Sequence, residues 1–162
     1  MKTILVPIDF SDATIPVVEA GSAFARTVRA KIVIAHVVRP SAIVNEFSAV
    51  VESFASTVEK NASEQLSRWR AQLQDDGFTV DMSLLHGQPS VCIREEAKRL
   101  AADYIVVGSH GHGALYDFVV GSTASALLKN APCPVLIVPV SRFEAVPAES
   151  GATALAQPEG AR

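Results

Sequence analysis

The sequence predicts an α/β protein, a three-layer sandwich around a five-stranded parallel sheet, and three observations carry that reading. Five short runs rich in Ile and Val recur along the 162 residues. Segments with helical spacing separate them. Four of the five runs are nearly continuous in apolar residues rather than alternating, as expected of strands covered on both faces. Strands that alternate with helices connect as right-handed βαβ units, which places helices on both sides of one sheet.

The first run, residues 3–8 (TILVPI), leads into a helix over 13–29 carrying Val17, Val18, Ala20, Ala25 and Val28. Pro16 is tolerated only in a first turn, so Ser11, Asp12 or Thr14 is expected to cap it. The second run is 32–38 (IVIAHVV), followed by the longest helix, about 45–74. Its stripe is Phe47, Val51, Phe54, Val58, Ala62, Leu66, Trp69 and Leu73. The third run, 78–85 (FTVDMSLL), is the exception: Phe78, Val80, Met82 and Leu84 alternate with Thr79, Asp81 and Ser83, so one face is wet and the strand belongs at an edge. The helix over 90–102 puts Val91, Ile93, Ala97, Leu100 and Ala101 on one side, with Arg94, Glu95, Glu96, Lys98 and Arg99 toward water. The fourth run, 103–107 (DYIVV), a helix over 122–131 and the last run, 135–140 (VLIVPV), complete the pattern. From residue 145 on, the chain lacks aromatics and is rich in Ala, Pro, Gly and Glu, which reads as a flexible tail.

A chain of this length buries roughly 68–70% of its unfolded surface, enough for one domain with a real core. Apolar residues make up 49% and charged residues 19%, the balance of a compact protein. A net charge of −3 argues against nucleic-acid binding, which needs a basic face. The opening MKTILVPIDF is broken by Pro7 and Asp9 before it reaches the length of a signal-peptide core. No stretch reaches the ~18 apolar residues of a membrane span, so the expectation is a cytoplasmic protein. Cys92 and Cys133 stand in no metal-ligand spacing and are expected to be two small buried hydrophobes.

The richest segment for chemistry is GSHGHGALYDFVVGST, residues 108–123. Gly108 ends a strand, Gly111 permits a turn that side chains would block, and Gly121 stands just before a helix whose first N–H groups lack internal partners. Those groups and the helix dipole form a phosphate site, to which Ser122 and Thr123 add hydroxyl donors. The segment is neither a Walker A loop, since no Gly-Lys-Ser/Thr follows, nor a GxGxxG, since Tyr116 stands at the third glycine. It does fit G-x2-G-x9-G-[ST] through Gly108, Gly111, Gly121 and Ser122. His110 and His112 form an HxH pair, but no third ligand has matching local spacing, so a phosphate loop is favoured over a metal site. His36 ends a buried-looking strand and is expected to be packing rather than chemistry.

That motif, together with ILVPIDFSD, HVV, HGQPSVCI, DYIVVGSHG and NAPCPVLIVPV in this order, resembles the universal stress protein family, and specifically its ATP-binding branch. The resemblance covers residues 1 to about 141, leaving 142–162 as the tail. It implies strand order 3-2-1-4-5 in a Rossmann-like, adenine-nucleotide α-hydrolase-like fold. It also implies that Asp9 lies near a ribose with Pro7 and Ile8 as the wall beside it, and that the backbone of Val37 meets adenine. Gly108 and Gly111 would follow ribose and α-phosphate, with Ser109 and His112 beside them; Gly121, Ser122 and Thr123 would hold the outer phosphates of ATP with Mg2+. The implied partner is a second copy of the chain through the last strand, Val135, Leu136, Ile137, Val138 and Val140, besides protein partners the sequence does not name. The chain departs from the family in having His112 and Asp117 where basic residues are usual, which lowers the positive charge beside a triphosphate.

Three functions compete at this point. One is a nucleotide-binding regulatory protein of the stress response. Another is a slow ATPase, which residues 108–123 serve poorly, because phosphoryl transfer needs positioned cations and the segment holds no Lys or Arg. The last is a nucleotide-free adaptor or chaperone-like dimer.

Overall fold

The computed structural model describes residues 1–39, 48–109 and 120–139. In chain order the elements are β1 (Lys2–Pro7), α1 (Thr14–Val28), β2 (Ala30–Val38), α2 (Ser48–Asp75), β3 (Val80–His86), α3 (Pro89–Arg99), β4 (Tyr104–Gly108), α4 (Ser122–Asn130) and β5 (Val135–Val138). The strands form one sheet in the order β3-β2-β1-β4-β5, and every neighbouring pair is parallel. The chain starts in the middle, winds outward through β2 to β3, then crosses back over the sheet to β4 and β5. Right-handed crossovers in opposite directions put α1 and α2 on one face and α3 and α4 on the other.

Two apolar layers follow from the pleat, because successive side chains of a strand face opposite ways. Ile4, Val6, Ile32, Ile34 and Val106 pack with Val17, Val18, Leu66 and Leu73. Leu5, Val33, Ala35, Ile105 and Val107 pack with Ile93, Ala97, Ala124 and Leu127. Central strands buried on both sides therefore show no alternation, whereas β3 sits at the edge with Asp81 exposed, as its alternating sequence predicts. β5 forms the other edge, as the order 3-2-1-4-5 implies. Its continuous apolar run reads as covered on both faces, yet Leu136 is 41% exposed.

Local departures from the sequence reading have local causes. No side chain caps α1: its N-cap is Ala13, and Thr14 donates its N–H to the Ser11 carbonyl at 2.9 Å. At Gly21 α1 lies so close to the sheet that a Cβ would meet Val6 Cγ2 at 3.1 Å. On α2, Ala62, Leu66 and Leu73 are buried and Trp69 packs against the cluster of Leu66 and Leu73, but Val58 is 37% exposed; Phe47, Val51 and Phe54 lie outside the described side chains. The helix expected over 90–102 stops at Arg99, because Ala101 takes a left-handed φ of 46° and the N–H groups of Ala101 and Ala102 return to the carbonyls of Lys98 and Ala97. On that helix Val91 is exposed rather than covered. Cys92 and Cys133 are half-buried rather than buried.

Glu96 is the largest correction on α3. Expected to face water, it is 5% exposed beneath β3. Arg99 donates to both its oxygens at 2.7 Å, and the Ser83 hydroxyl of β3 donates to Oε1 at 2.6 Å. A helix wheel assigns a face to Glu96 but cannot show that β3 offers a hydroxyl there. The Arg99 hydrogen bonds hold the Glu96 carboxyl below its ordinary value against the upward push of burial, with Ser83 helping. A carboxyl lowered in the folded state stabilises the fold above its unfolded pKa of about 4.3, and that contribution fades as pH falls through the lower folded value. The Glu96→Gln variant is expected to lose less stability than wild type between about pH 4.5 and the acid transition, and to be less stable by about 1–3 kcal/mol at pH 7. Urea unfolding at several pH values checks both; parallel pH profiles for the two proteins would remove Glu96 from the acid response.

Candidate functional site

The carboxyl ends of β1 and β4 are where the winding reverses, the position at which open α/β sheets leave a crevice. Backbone chemistry opens it. Along a parallel strand, alternate residues direct N–H and C=O to opposite neighbours. On β1 the even residues address β2, as Ile8 shows by donating to the Ala35 carbonyl at 2.8 Å, so the odd residues address β4. The β1–β4 register holds at Ile4↔Tyr104 and Leu5↔Ile105 only. The next odd residue is Pro7, which has no N–H to offer. The two strands part there, with buried Pro7 and Ile8 as the wall of the gap.

Beyond that wall the chain makes a tight turn. Asp9 Oδ1 accepts from the Ser11 N–H at 3.1 Å and from the Ser11 hydroxyl at 2.6 Å, and the same hydroxyl accepts from the Ala13 N–H at 3.3 Å. This exchange engages the Ser11 hydroxyl within the turn, so it does not cap α1. Phe10 is left-handed at φ 61° and stacks on the His36 ring, with centroids 4.2 Å apart and planes 26° from parallel. His36 Nδ1 lies 2.9 Å from the Ile8 carbonyl; that oxygen only accepts, so Nδ1 carries the proton. Val37 follows on β2. On this strand the even residues address β3, since Ile32 donates to Thr79 and Val38 accepts from Gly87, so Val37 turns its N–H and C=O toward β1, past the last paired residue Pro7↔Ala35.

The other side of the gap is built from β4 and α4. Ser109 donates to the Val138 carbonyl at 2.8 Å, keeping the strand end on β5, and Gly121 donates to the Ser109 carbonyl at 2.6 Å. That second bond closes the mouth of the glycine segment. Gly121 is the N-cap of α4, at φ −56° and ψ 155°, with no side-chain cap, and Ser125 makes a first-turn bond to the Gly121 carbonyl. The N–H groups of Ser122, Thr123 and Ala124 therefore precede the intrahelical ladder and emerge at the helix's positive end.

The structure thus brings Pro7, Ile8, Asp9, Val37, Gly108, Ser109, Gly121, Ser122 and Thr123 to one end of the sheet. Gly111 and His112, with His110, lie outside the described residues. His36 and Phe10, read from the sequence as packing or not singled out, belong to this end as well; the signal for His36 was its place just before Val37. Among the described residues no three of His, Cys, Asp or Glu gather to hold a metal. Cys133 stands away from this end, near Asp103; burial, with the charge of Asp103, pushes its thiol pKa up and keeps it protonated.

A parallel 3-2-1-4-5 sheet whose switch point is lined by strand ends, an aspartate turn and a glycine-led helix start defines an open, doubly wound α/β domain. The Universal stress protein family matches residues 1–139, and the chain belongs to that family. A universal stress protein of Thermus aquaticus is 32% identical over 137 residues, covering 85% of this chain and 98% of its own. Among solved structures, universal stress protein UspA from Lactobacillus plantarum superposes with a TM-score of 0.76 at 25% identity, over 85% of this chain and 97% of that one. The universal stress protein from Archaeoglobus fulgidus solved in complex with dAMP shares the fold at a TM-score of 0.60 and 21% identity, over 85% and 98% of the two chains.

The left-handed Phe10 gives a direct test of the turn. A side chain at positive φ costs on the order of 1 kcal/mol that glycine avoids. Phe10→Gly is therefore expected to be more stable than Phe10→Ala by about 1 kcal/mol, the reverse of the usual order of the two residues in regular structure. Chemical denaturation of the pair decides it, and an alanine variant as stable as the glycine variant would mean that the backbone is not held at this φ.

Proposed function

We propose that this chain is a nucleotide-binding regulatory protein that takes ATP with Mg2+ at the carboxyl ends of β1, β2 and β4, in a cytoplasmic homodimer joined through its last strand. The observation that carries the reading is the gap where β1 leaves β4, onto which the Val37 backbone, the Asp9 turn and the first turn of α4 all open. Family membership supports it. Adenine offers donors and acceptors along its edge, and the paired N–H and C=O of Val37 suit them. The Asp9 carboxylate suits ribose hydroxyls. Gly108 leaves room for close backbone approach, with Ser109 and the segment of Gly111 and His112 following. The amides at the start of α4, where the helix dipole concentrates roughly half a positive charge, suit phosphate oxygens together with the Ser122 and Thr123 hydroxyls. Magnesium, when bound, neutralises phosphate charge and is held through the phosphates.

Regulation is favoured over catalysis because residues 108–123 contain no lysine or arginine to stabilise a transferring phosphoryl group. The domain is taken as residues 1–141, with 142–162 as a tail outside it. For assembly, the relevant residues are Val135, Leu136, Ile137, Val138 and Val140. The exposure of Leu136 on β5 and of Leu128 on α4 gives this edge an apolar surface that a second copy would cover.

Two experiments test the proposal. In calorimetry with magnesium-ATP, and with AMP and dAMP as smaller probes, wild type is expected to bind. Gly121→Val, at a φ and ψ open to any residue, is expected to bind ATP at least tenfold more weakly with an unchanged Tm. Equal affinities for the two proteins would move the phosphates elsewhere. In analytical ultracentrifugation, Leu136→Lys is expected to turn a dimer into a monomer, and a dimer that survives the charge is not joined through β5.

A further inference from the structure

We propose that His36 is a positioning residue of the adenine pocket: by holding the Ile8 carbonyl it keeps β1 from adding another rung to β2 and leaves the Val37 backbone for the base. The proposal rests on the adenine-nucleotide reading given above, and its stereochemistry comes from the ladder. Ile8 donates its N–H to the Ala35 carbonyl at 2.8 Å. In a regular parallel ladder the carbonyl of that same residue would accept from the N–H two positions along the partner, which is Val37. The β1–β2 register stops one step short, at Pro7↔Ala35, while β2 and β3 remain paired through Val37↔Leu85 and Val38↔His86. The Ile8 carbonyl accepts from His36 Nδ1 at 2.9 Å.

A side chain of β2 thus engages the acceptor that its own next backbone amide would be offered. The ring is fixed for this task on two sides. Its Nδ1–H is committed to Ile8, and its face is stacked on Phe10, whose left-handed backbone turns the chain away from the sheet directly after Ile8 and Asp9. His36 therefore works at both margins of the pocket. It detaches the end of β1 from β2, and it anchors the turn that carries Asp9.

Two substitutions separate the hydrogen bond from the packing. His36→Phe keeps an aromatic face for Phe10 but removes the donor. His36→Asn keeps a donor, since the Asn amide nitrogen lies near the place of Nδ1, but removes the ring. Without nucleotide, the Val37 amide of His36→Phe is expected to exchange with solvent at least tenfold more slowly than in wild type, because it gains the Ile8 carbonyl. The affinity of this variant for magnesium-ATP is expected to fall about tenfold, the scale of one hydrogen bond. His36→Asn is expected to stay within about threefold of wild type in both measurements. A purely structural histidine would lower Tm in both variants and leave Val37 exchange unslowed.

Unchanged Val37 exchange in His36→Phe, with ATP binding by wild type intact, overturns the proposal alone. A wild type that binds no adenine nucleotide overturns the site reading and the proposal with it, whatever Val37 does. If neither variant folds, nitrogen-15 spectra of wild type decide: a proton on Nδ1 coupled across to the Ile8 carbonyl is expected, and a proton on Nε2 alone overturns the assignment.

Discussion

The missing N–H of Pro7 is the constraint on which the rest of this site depends. A parallel sheet gains from every rung it can close, and the central strand has partners on both sides. Had residue 7 carried an amide, its parity would have directed that amide at β4, and the crevice would have begun further along the chain. With proline there, pairing stops after Leu5↔Ile105 and the strand ends separate without leaving a buried donor unsatisfied. The topology says where a gap is possible, since β2 and β4 are reached by crossovers on opposite faces. The proline says at which residue it opens. Asp9, two residues on, is then placed at its rim by a turn that Ser11 closes from both its N–H and its hydroxyl.

The gap is lined largely by main chain. Val37 contributes a strand residue's N–H and C=O, Gly121 closes the glycine segment onto Ser109, and α4 contributes the amides of its first turn. Such donors are fixed by secondary structure and need no reorganisation when an anion arrives, but they carry partial charges only. With His112 and Asp117 in the segment and no lysine or arginine between 108 and 123, the polyphosphate proposed above would be held by the helix dipole and hydroxyls alone.

Much of this was legible in the sequence, for reasons that differ by element. The continuous apolar runs of β1, β2 and β4 and the alternation of β3 follow from burial on two faces or one, which periodicity reports directly. The places of Gly108 and Gly121 were legible because they punctuate a strand end and a helix start. Glu96 was not, since its burial depends on a Ser83 hydroxyl contributed by another element and on Arg99 covering it from solvent. The cap of α1 was misread because Asp9 and Ser11 bond to each other and to the turn. His36 was read as packing, which its stack on Phe10 bears out, but its bond to Ile8 is a contact between strands and leaves no mark on local sequence. The edge place of β5 follows the implied strand order, while its apolar run reports only that a surface is suited to burial, without reporting what buries it.

The two edges of the sheet make that last point physical. At the β3 edge, Lys31 and Asp81 pair at 3.2 Å and His86 meets Glu59 at 2.9 Å, so charge decorates the side on which another strand would have to add. Charged groups of this kind discourage edge-to-edge pairing. The β5 edge has no such protection among its described residues, presenting Leu136 beside Val135 and Ile137, with Leu128 exposed on the adjoining helix. The two opposite edges thus differ, one charged and one apolar, and the homodimer proposed above would use the apolar one. That side also carries the phosphate end of the proposed site, because α4 holds Ser122 and Thr123 at its start and shares an apolar cluster with Val135 and Ile137 of β5. In the reading proposed above, a ligand on the first turn of α4 would touch the same helix that flanks the apolar edge, so the proposed nucleotide site and the proposed dimer edge would share one element.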